Sequence, residues 1–357
     1  MKTYIYFLCL TFLKSFLNIF LIMLSLVFIL NILKEIEFFN NTDVSVLYPI
    51  YLSLMNTPSL IFEMFPFIFL ISTQFFFIKL LNNNEINIFK YSGLNNLRII
   101  SILGILSFFI GILIITLFYN LSSNLQKYYL EIKNQYSTDK SYLAVINKNG
   151  LWIKDIVNKN INIINSGGIQ NNFLTDTFIT TFNENYEPIR NIKSNKINIT
   201  SNTWLIYDAS VFEDNEKKNI NLFEFQSNFN LKRIKSLFSN LSSLSIIELF
   251  SLRNNYKSLN YSTTEVDIQI QKIISYPLYF VLMTILASVI MFNTKKFKNV
   301  TLKLAIGLFI SVVIYYMNNF FLIMGNTEKI PIYISIWVPL ITLLLLNSIA
   351  ILKINEK

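Results

Sequence analysis

The stretch FEMFPFIFLISTQFFFIKLLNNNEINIFKYSGLNN, residues 62–96, decides how this chain is built. Residues 60–81 form an apolar run, interrupted by Glu63 and Pro66, that is long enough to cross a bilayer as a helix. A short polar loop follows, and a second apolar run begins at Leu97. The order predicts two membrane spans joined by a loop that contains a short helix of its own.

The rest of the chain extends this pattern to six spans. The sequence is 53% hydrophobic and 14% charged, whereas a soluble domain is about a quarter charged. Residues 2–13 are expected at the membrane interface. The predicted spans are 14–33, 60–81, 97–119, 273–292, 302–324 and 332–352. This fold class is an α-helical membrane protein with six transmembrane helices.

The polar middle of the chain, residues 120–269, has a different period. Apolar and polar residues alternate there, as in Ile197-Asn198-Ile199, and a period of two predicts β-strands. Turn signals such as Asn149-Gly150 separate the runs. We expect an all-β sandwich or jelly roll over about 140–230, followed by a helical linker at 242–257.

Basic residues in the short loops predict the orientation, because Lys and Arg concentrate on the cytoplasmic side. They cluster after spans 2 and 4 and at both termini, whereas the loop after span 1 mixes Lys34 with acidic residues. Both termini are therefore expected in the cytoplasm and the β domain outside it. The basic residues concerned are Lys79, Lys90, Arg98, Lys295, Lys296, Lys298, Lys303, Lys2, Lys353 and Lys357.

The sequence offers little for catalysis. It has no His, one cysteine (Cys9), no zinc-ligand spacing and no P-loop motif. Asp155 and Asp208 are interpreted as solvated carboxylates on strands or turns. The net charge of +9 lies largely beside apolar segments, which does not favour nucleic-acid binding. We predict a non-enzyme without cofactor or metal, whose ATP-driven work would come from a partner.

The loop after span 2 predicts an interaction site. Glu85, Ile88 and Phe89 belong to a short helix at about 84–92 with an exposed apolar face, and Gly93 allows a sharp turn into span 3. Such a helix can dock into a groove of a partner protein or lie on the lipid surface. Spacing alone favours neither interpretation.

A few polar residues lie within or beside the spans. Glu63 is a functional candidate because it is ionisable, although its position near the outer end favours a side chain that reaches the interface. Asn318 and Asn319 are typical of interhelical hydrogen bonding. Lys34 and Lys272 flank the outer surface, where an ammonium group can meet a lipid phosphate or simply anchor a helix.

Four stretches together resemble the lipopolysaccharide-export ABC permeases of the LptF/LptG family. They are residues 62–96, GLWIKD at 150–155, LSIIELFSLRNN at 244–255 and QKIISYPL at 271–278. Their order and spacing extend over nearly the whole chain, and GLWIKD is more similar to the LptG branch.

The resemblance implies a set of partners. A paralogous permease (LptF for an LptG-type chain) would pair with this one, and an LptB-type ATPase dimer carrying ATP and Mg²⁺ would bind the cytoplasmic helix. Glu85, Ile88, Phe89 and Gly93 would then transmit force. Lipopolysaccharide would enter a cavity lined by spans 1, 2 and 5, and leave through an LptC-type single-span protein and an LptA-type periplasmic bridge.

The resemblance also suggests where the lipid is held. Lys34 lies where the family places lysines against lipid A phosphates, and Lys272 is a second candidate. Aromatic and aliphatic residues of the jelly roll would shelter acyl chains or fill its core: Phe178, Phe182, Trp204, Leu205 and Phe212. Two alternatives are a membrane-anchored sensor or scaffold with a ligand-binding β domain, and an ion-coupled transporter. The short cytoplasmic loops disfavour the first, and the scarcity of intramembrane charges disfavours the second.

Overall fold

The structure is a computed structural model that describes residues 3–40, 45, 47–136, 151–170, 172–213, 216–231, 233–234, 240–258, 261–292 and 299–355. The predicted turn at Asn149-Gly150 and the basic residues Lys2, Lys295, Lys296, Lys298 and Lys357 lie outside these ranges. The chain forms two compact units. The helical unit comprises Met1–Tyr129, Ser245–Leu249 and Thr263–Lys357, and the sheet unit comprises Leu130–Leu244 and Phe250–Ser262.

Six helical segments of the described residues are long and apolar enough to cross a membrane, which confirms the predicted number of spans. The helices are α1 (Thr3–Phe39), α2 (Leu47–Asn82), α3 (Glu85–Tyr91), α4 (Asn96–Leu113), α5 (Asn120–Tyr136), α6 (Ile246–Ser258), α7 (Thr264–Phe292), α8 (Val300–Asn326) and α9 (Ile332–Asn355). A π-helical segment, Ile114–Tyr119, joins α4 to α5 without a break, and the joined helix is the third candidate span.

Several of these helices are longer than their apolar runs predicted. Helix α1 has 37 residues and includes residues 3–13, which were expected to form an interfacial helix before the first span. Helix α2 begins at Leu47, well before residue 60, although it contains Pro58 and Pro66. A helix of 37 residues is about 55 Å long, against a hydrocarbon core of about 30 Å. The apolar run in the sequence therefore marks only the part of the helix that fits the hydrocarbon core.

Aromatic side chains form much of the core of the helical unit. The rings of Phe69 and Phe280 stack with their centroids 4.7 Å apart, and Phe16 lies 5.0 Å from Phe69. The rings of Phe62 and Tyr276 lie 5.1 Å apart. Aromatic pairs of this kind contribute beyond the burial of their area, so the high Phe content serves packing between α1, α2 and α7.

Helices α4 and α7 approach each other closely where two glycines face α7. A Cβ atom on Gly104 would lie 3.6 Å from Val281 Cγ1, an ordinary contact. A Cβ atom on Gly111 would lie 3.0 Å from both Pro277 Cα and Phe280 Cδ2. Between these levels the hydroxyls of Ser107 and Thr284 hydrogen-bond at 2.9 Å. Small residues and hydroxyl pairs are typical of tight packing between membrane helices.

Helix α6 begins with a capping box at Ser245 and Glu248. The Ser245 backbone N–H and hydroxyl donate to Glu248 Oε2 at 2.8 and 2.9 Å, and Lys127 Nζ lies 3.7 Å from Oε1. Partial burial raises the pKa of Glu248, but the Ser245 hydrogen bonds and the Lys127 charge outweigh it, and the pKa lies below its ordinary value. The predicted linker helix 242–257 is therefore α6, after a short 3₁₀ turn at Leu241–Ser243.

The polar middle of the chain forms a six-stranded antiparallel sheet, which confirms the β prediction. The strands are β1 (Leu151–Val157), β2 (Asn160–Gln170), β3 (Phe173–Phe182), β4 (Pro188–Asn198), β5 (Thr203–Glu213) and β6 (Glu216–Gln226). Each described strand pairs with the next along the chain. Their topology is thus a meander in one sheet, without the Greek-key crossings that define a complete jelly roll.

An irregular row crosses this sheet and reverses its faces. Asp176 on β3 and Asp208 on β5 both have φ of +47°, which is uncommon for a non-glycine residue. On β5 the buried residues are Ile206 and then Ala209, a step of three where a regular strand steps by two. The inner face therefore changes from one set of alternate residues to the other at this row.

Asp155 corrects one prediction, because it is fully buried and not solvated. It shares the inner face of β1 with Ile153, and its carboxylate accepts hydrogen bonds from Ser227 Oγ at 2.7 Å and from the Asn228 N–H at 3.1 Å. A buried carboxylate needs such donors. Asp155 thus ties β1 to the segment that follows β6.

Candidate functional site

The helical unit contains a cavity of about 630 Å³. Its size is within the usual range for ligand pockets, about 300–1,000 Å³. Helices α1, α2, α7, α8 and α9 line it, mostly with apolar side chains: Val27, Leu30, Leu60, Met64, Pro66, Phe67, Met283, Val312, Leu322, Ile336 and Leu340. The polar lining consists of Glu63, Lys272, Ser275, Tyr276, Tyr279, Ser311, Tyr315, Asn318, Asn319 and Ser335.

Among the described residues that line the cavity, the two charged side chains form an ion pair. Lys272 Nζ lies 3.3 Å from Glu63 Oε1. The side chain of Lys272 is 24% exposed, whereas that of Glu63 is 63% exposed. The cavity therefore contains one cation and one anion of very different accessibility.

The two charges lie at the same depth in their helices. Glu63 precedes the last residue of α2, Asn82, by 19 positions, and Lys272 precedes the last residue of α7, Phe292, by 20. At about 1.5 Å per residue, each lies roughly 30 Å from those helix ends. That distance equals about one hydrocarbon thickness, so the pair lies near the membrane surface opposite to the loop that carries α3.

Tyrosine and asparagine side chains continue the polar side of the cavity. Tyr276 is buried and stacks on Phe62, and it interacts electrostatically with Lys272, which lies one helical turn away on α7. Tyr279 on α7 and Asn318 on α8 lie close to each other, and both line the cavity. An apolar cavity with one cation and several hydroxyl and amide groups fits part of an amphiphile, with its chains against the apolar wall and an anionic group at Lys272.

The second predicted lysine is placed differently. Lys34 is exposed on α1 and lies outside the cavity lining. Its neighbour Glu35 is 1% exposed and accepts a hydrogen bond from the Tyr129 hydroxyl at 2.8 Å. The structure thus brings Lys272, but not Lys34, to the cavity.

The candidate residues of the sheet divide between core and surface. Trp204 is fully buried, and its indole N–H donates to the Phe229 carbonyl at 2.7 Å. Phe178 and Phe212 are 42% and 41% exposed on the other face, and Phe182 and Leu205 are half-buried. Trp204 therefore fills the core of the sheet unit, while Phe178 and Phe212 remain available for contact.

The predicted loop helix is present as α3. Glu85 stands at its first position and accepts a hydrogen bond from Asn83 Nδ2 at 3.0 Å, while Ile88 is 59% exposed. Phe89 is half-buried, with its ring 6.0 Å from that of Phe7 on α1.

Gly93 ends this helix as expected. Its φ is +80°, and the Leu94 N–H donates to the Phe89 carbonyl at 2.9 Å, as in a Schellman cap. The side chain of Asn95 then caps α4 by accepting from the Arg98 N–H at 3.0 Å. Two helix caps within three residues fix the direction of α3 relative to α4.

The pairing of Glu63 with Lys272 is the feature that the sequence interpretation missed. Glu63 was expected to reach the interface by itself, although the structure shows it opposite Lys272. A signal was present, because an acid and a base occur at nearly equal distances from the C-terminal ends of spans 2 and 4. Tyr276 and Tyr279 gave no signal among the 19 tyrosines of the chain.

The six candidate spans together are those of a multi-pass membrane protein. A family comparison then specifies the class: the chain belongs to the family described as lipopolysaccharide export system permease LptF/LptG, which matches residues 7–353. This is a permease family and not a family of catalytic enzymes, and it implies action with an ABC ATPase on lipopolysaccharide. A comparison with curated proteins found no match.

Proposed function

We propose that this chain is an LptG-type permease subunit that extracts lipopolysaccharide from the inner membrane and passes it to a periplasmic bridge. The observation that carries the proposal is the cavity of the helical unit, which joins an apolar wall to a cation at Lys272. Leaving acyl chains in water costs about 0.8 kcal/mol per CH₂ group. A protein that moves such chains out of a bilayer needs an apolar shelter of this kind.

The topology follows from the loops. Both termini and α3 lie in the cytoplasm and the sheet unit in the periplasm, as the basic loops predict. The partners are a paralogous LptF-type permease, an LptB-type ATPase dimer that binds ATP and Mg²⁺, an LptC-type single-span protein and an LptA-type bridge. The exposed aromatic side chains Phe178 and Phe212 are candidates for the lipid path beyond the membrane.

A photo-crosslinking experiment tests the cavity. A benzophenone side chain at Phe67, which lines the cavity, is compared with one at Leu346, which is 62% exposed on α9 and lies outside the lining. Phe67 is expected to crosslink lipopolysaccharide, and the yield should fall when the complex hydrolyses ATP. Equal yields at both positions, or a yield at Phe67 that ATP does not change, would contradict the proposal.

A second experiment tests α3 as the coupling helix. Phe89→Asp and Glu85→Leu are expected to uncouple ATP hydrolysis from lipid release, because they change the first turn and the apolar face of the helix. Phe89→Leu is the matched control, since it keeps an apolar side chain against Phe7. Normal lipid release by Phe89→Asp and Glu85→Leu would exclude the coupling role.

A further inference from the structure

The Glu63–Lys272 pair is informative because its two opposite charges leave the described lining of the cavity neutral. Among the described lining residues these two carry the charge, and each has the other as its partner. An unpaired ammonium group beside an apolar wall would be costly. Glu63 thus occupies the position at Lys272 that an anionic ligand would take.

The pair is asymmetric and loose. The side chain of Lys272 is largely buried beside Tyr276, whereas that of Glu63 is 63% exposed. Their separation of 3.3 Å exceeds the usual length of a charge-assisted hydrogen bond, about 2.7–2.9 Å. Water can therefore solvate the Glu63 carboxylate when it leaves, while Lys272 stays in place. Glu63 is the partner that a ligand can displace.

Charge decides which lipids can displace it. A phosphomonoester carries about −1.5 to −2 charges near neutral pH and three acceptor oxygens, and an ammonium group has three donors. The phosphodiester of an ordinary phospholipid carries a single charge, like the carboxylate that it would replace. The exchange favours the monoester and is nearly neutral for the diester.

We propose that Glu63 is a built-in counter-ion that a phosphomonoester of the lipid replaces on Lys272, and that this competition excludes ordinary phospholipids from the cavity. Glu63 is thus a specificity-determining residue that competes with the lipid for Lys272. The inference rests on the proposed function, because it concerns the same cavity.

Binding to the full-length chain, purified with its partner subunits, tests this selectivity. The probes are a diphosphorylated glucosamine-disaccharide lipid, its dephosphorylated analogue, phosphatidylglycerol and phosphatidylethanolamine. Wild type is expected to prefer the phosphorylated glycolipid over its dephosphorylated analogue and over both phospholipids. Glu63→Gln should raise the affinity for phosphatidylglycerol about three-fold, the size expected for a partly exposed ion pair, and raise that for the phosphorylated glycolipid less.

Two further variants separate this effect from a general change. Lys272→Gln should weaken binding of the phosphorylated glycolipid about ten-fold, and adding Glu63→Gln to it should change nothing more. Glu37→Gln removes an exposed carboxylate of α1 outside the lining and should leave every affinity unchanged.

The outcomes are distinct. Unchanged lipid preference in Glu63→Gln, with wild type still preferring the phosphorylated glycolipid, would overturn the inference and leave the proposed function standing. The inference would also be overturned if phosphatidylethanolamine bound to wild type as tightly as that glycolipid. The Glu63–Lys272 pair would then bind the phosphate and the ammonium group of a zwitterionic lipid together. If neither glycolipid binds to any variant, both the proposed function and the inference fail.

Discussion

Replacing Gly111 by alanine is expected to destabilise the helical unit, and replacing Gly104 is not. Both glycines lie on α4 and face α7. The new methyl group at Gly111 would meet Pro277 Cα and Phe280 Cδ2 at 3.0 Å, whereas at Gly104 it would meet Val281 Cγ1 at an ordinary 3.6 Å. Pro277 Cα belongs to the backbone, so relief at Gly111 requires α4 and α7 to move apart.

The two variants share the same gain in helix propensity, about 1 kcal/mol for alanine over glycine. Their difference therefore isolates the contact with α7. Overpacking of a tight core costs about 1–3 kcal/mol, and that is the expected difference between the variants. Moving α4 away from α7 in Gly111→Ala should also weaken the hydrogen bond between Ser107 and Thr284, because Ser107 lies between the two glycines on α4.

Heating the purified chain in detergent and measuring the monodisperse fraction provides the assay. Since membrane proteins often unfold irreversibly, all variants are heated at one rate. The melting midpoint of Gly111→Ala should lie several degrees below that of Gly104→Ala. Adding Phe280→Leu to Gly111→Ala should restore only part of the lost stability. Equal midpoints for the two alanine variants would refute the close approach of α4 and α7.

Three other predictions concern the sheet unit and the connecting segments. Trp204→Ala should destabilise the protein by about 3–5 kcal/mol because it empties a buried site, whereas Trp152→Ala, at a side chain that is 58% exposed, should have little effect; thermal unfolding of both variants checks this. Gly93→Ala should lower the free energy of unfolding by only about 1 kcal/mol, because φ is +80° but no atom crowds the added methyl group. Transport should fall more than stability, which a transport assay and a melting curve of the same variant will show. Glu248 has a lowered pKa, so its contribution to the free energy of unfolding is present above the pKa of the unfolded chain and is lost as pH falls through the pKa of the folded protein. The difference in melting midpoint between wild type and Glu248→Gln should therefore shrink below about pH 4. A constant difference would contradict the capping role.

The predicted spans and strands came from periodicity, and these parts of the fold were predictable. Apolar runs located all six candidate spans, and Gly93 located the turn between α3 and α4. Helix lengths were not predictable in the same way, because α1 and α2 continue beyond their most apolar segments. Hydrogen bonding within a helix does not stop where lipid exposure stops.

In the sheet, alternation failed at particular residues. Asp155 was interpreted as solvated, but it lies on the inner face, where its partners come from residues 227 and 228. The change of face at Asp176 and Asp208 also breaks the period of two. Contacts between segments distant in sequence determine both features, and a local pattern contains no information about them.

For the candidate site, the sequence identified the charged residues but did not predict that they form an ion pair. Glu63 and Lys272 were each noticed in the sequence, yet 209 positions separate them along the chain. Tyr276, which lies beside Lys272, is indistinguishable by sequence from a tyrosine that faces outward, such as Tyr316. Packing of α2 against α7 is what selects Tyr276.

The π-helical segment Ile114–Tyr119 has a consequence for how this chain can vary. A π segment accommodates one extra residue within an α-helix, and one residue corresponds to a rotation of about 100° around the axis. Because the wider π turn absorbs that extra rotation, deleting a single residue there would restore a regular helix and leave the side chains from Asn120 to Tyr129 facing their present neighbours. The hydrogen bond between Tyr129 and Glu35 is therefore expected to tolerate the loss of one residue at this segment, but not at a regular part of the same helix.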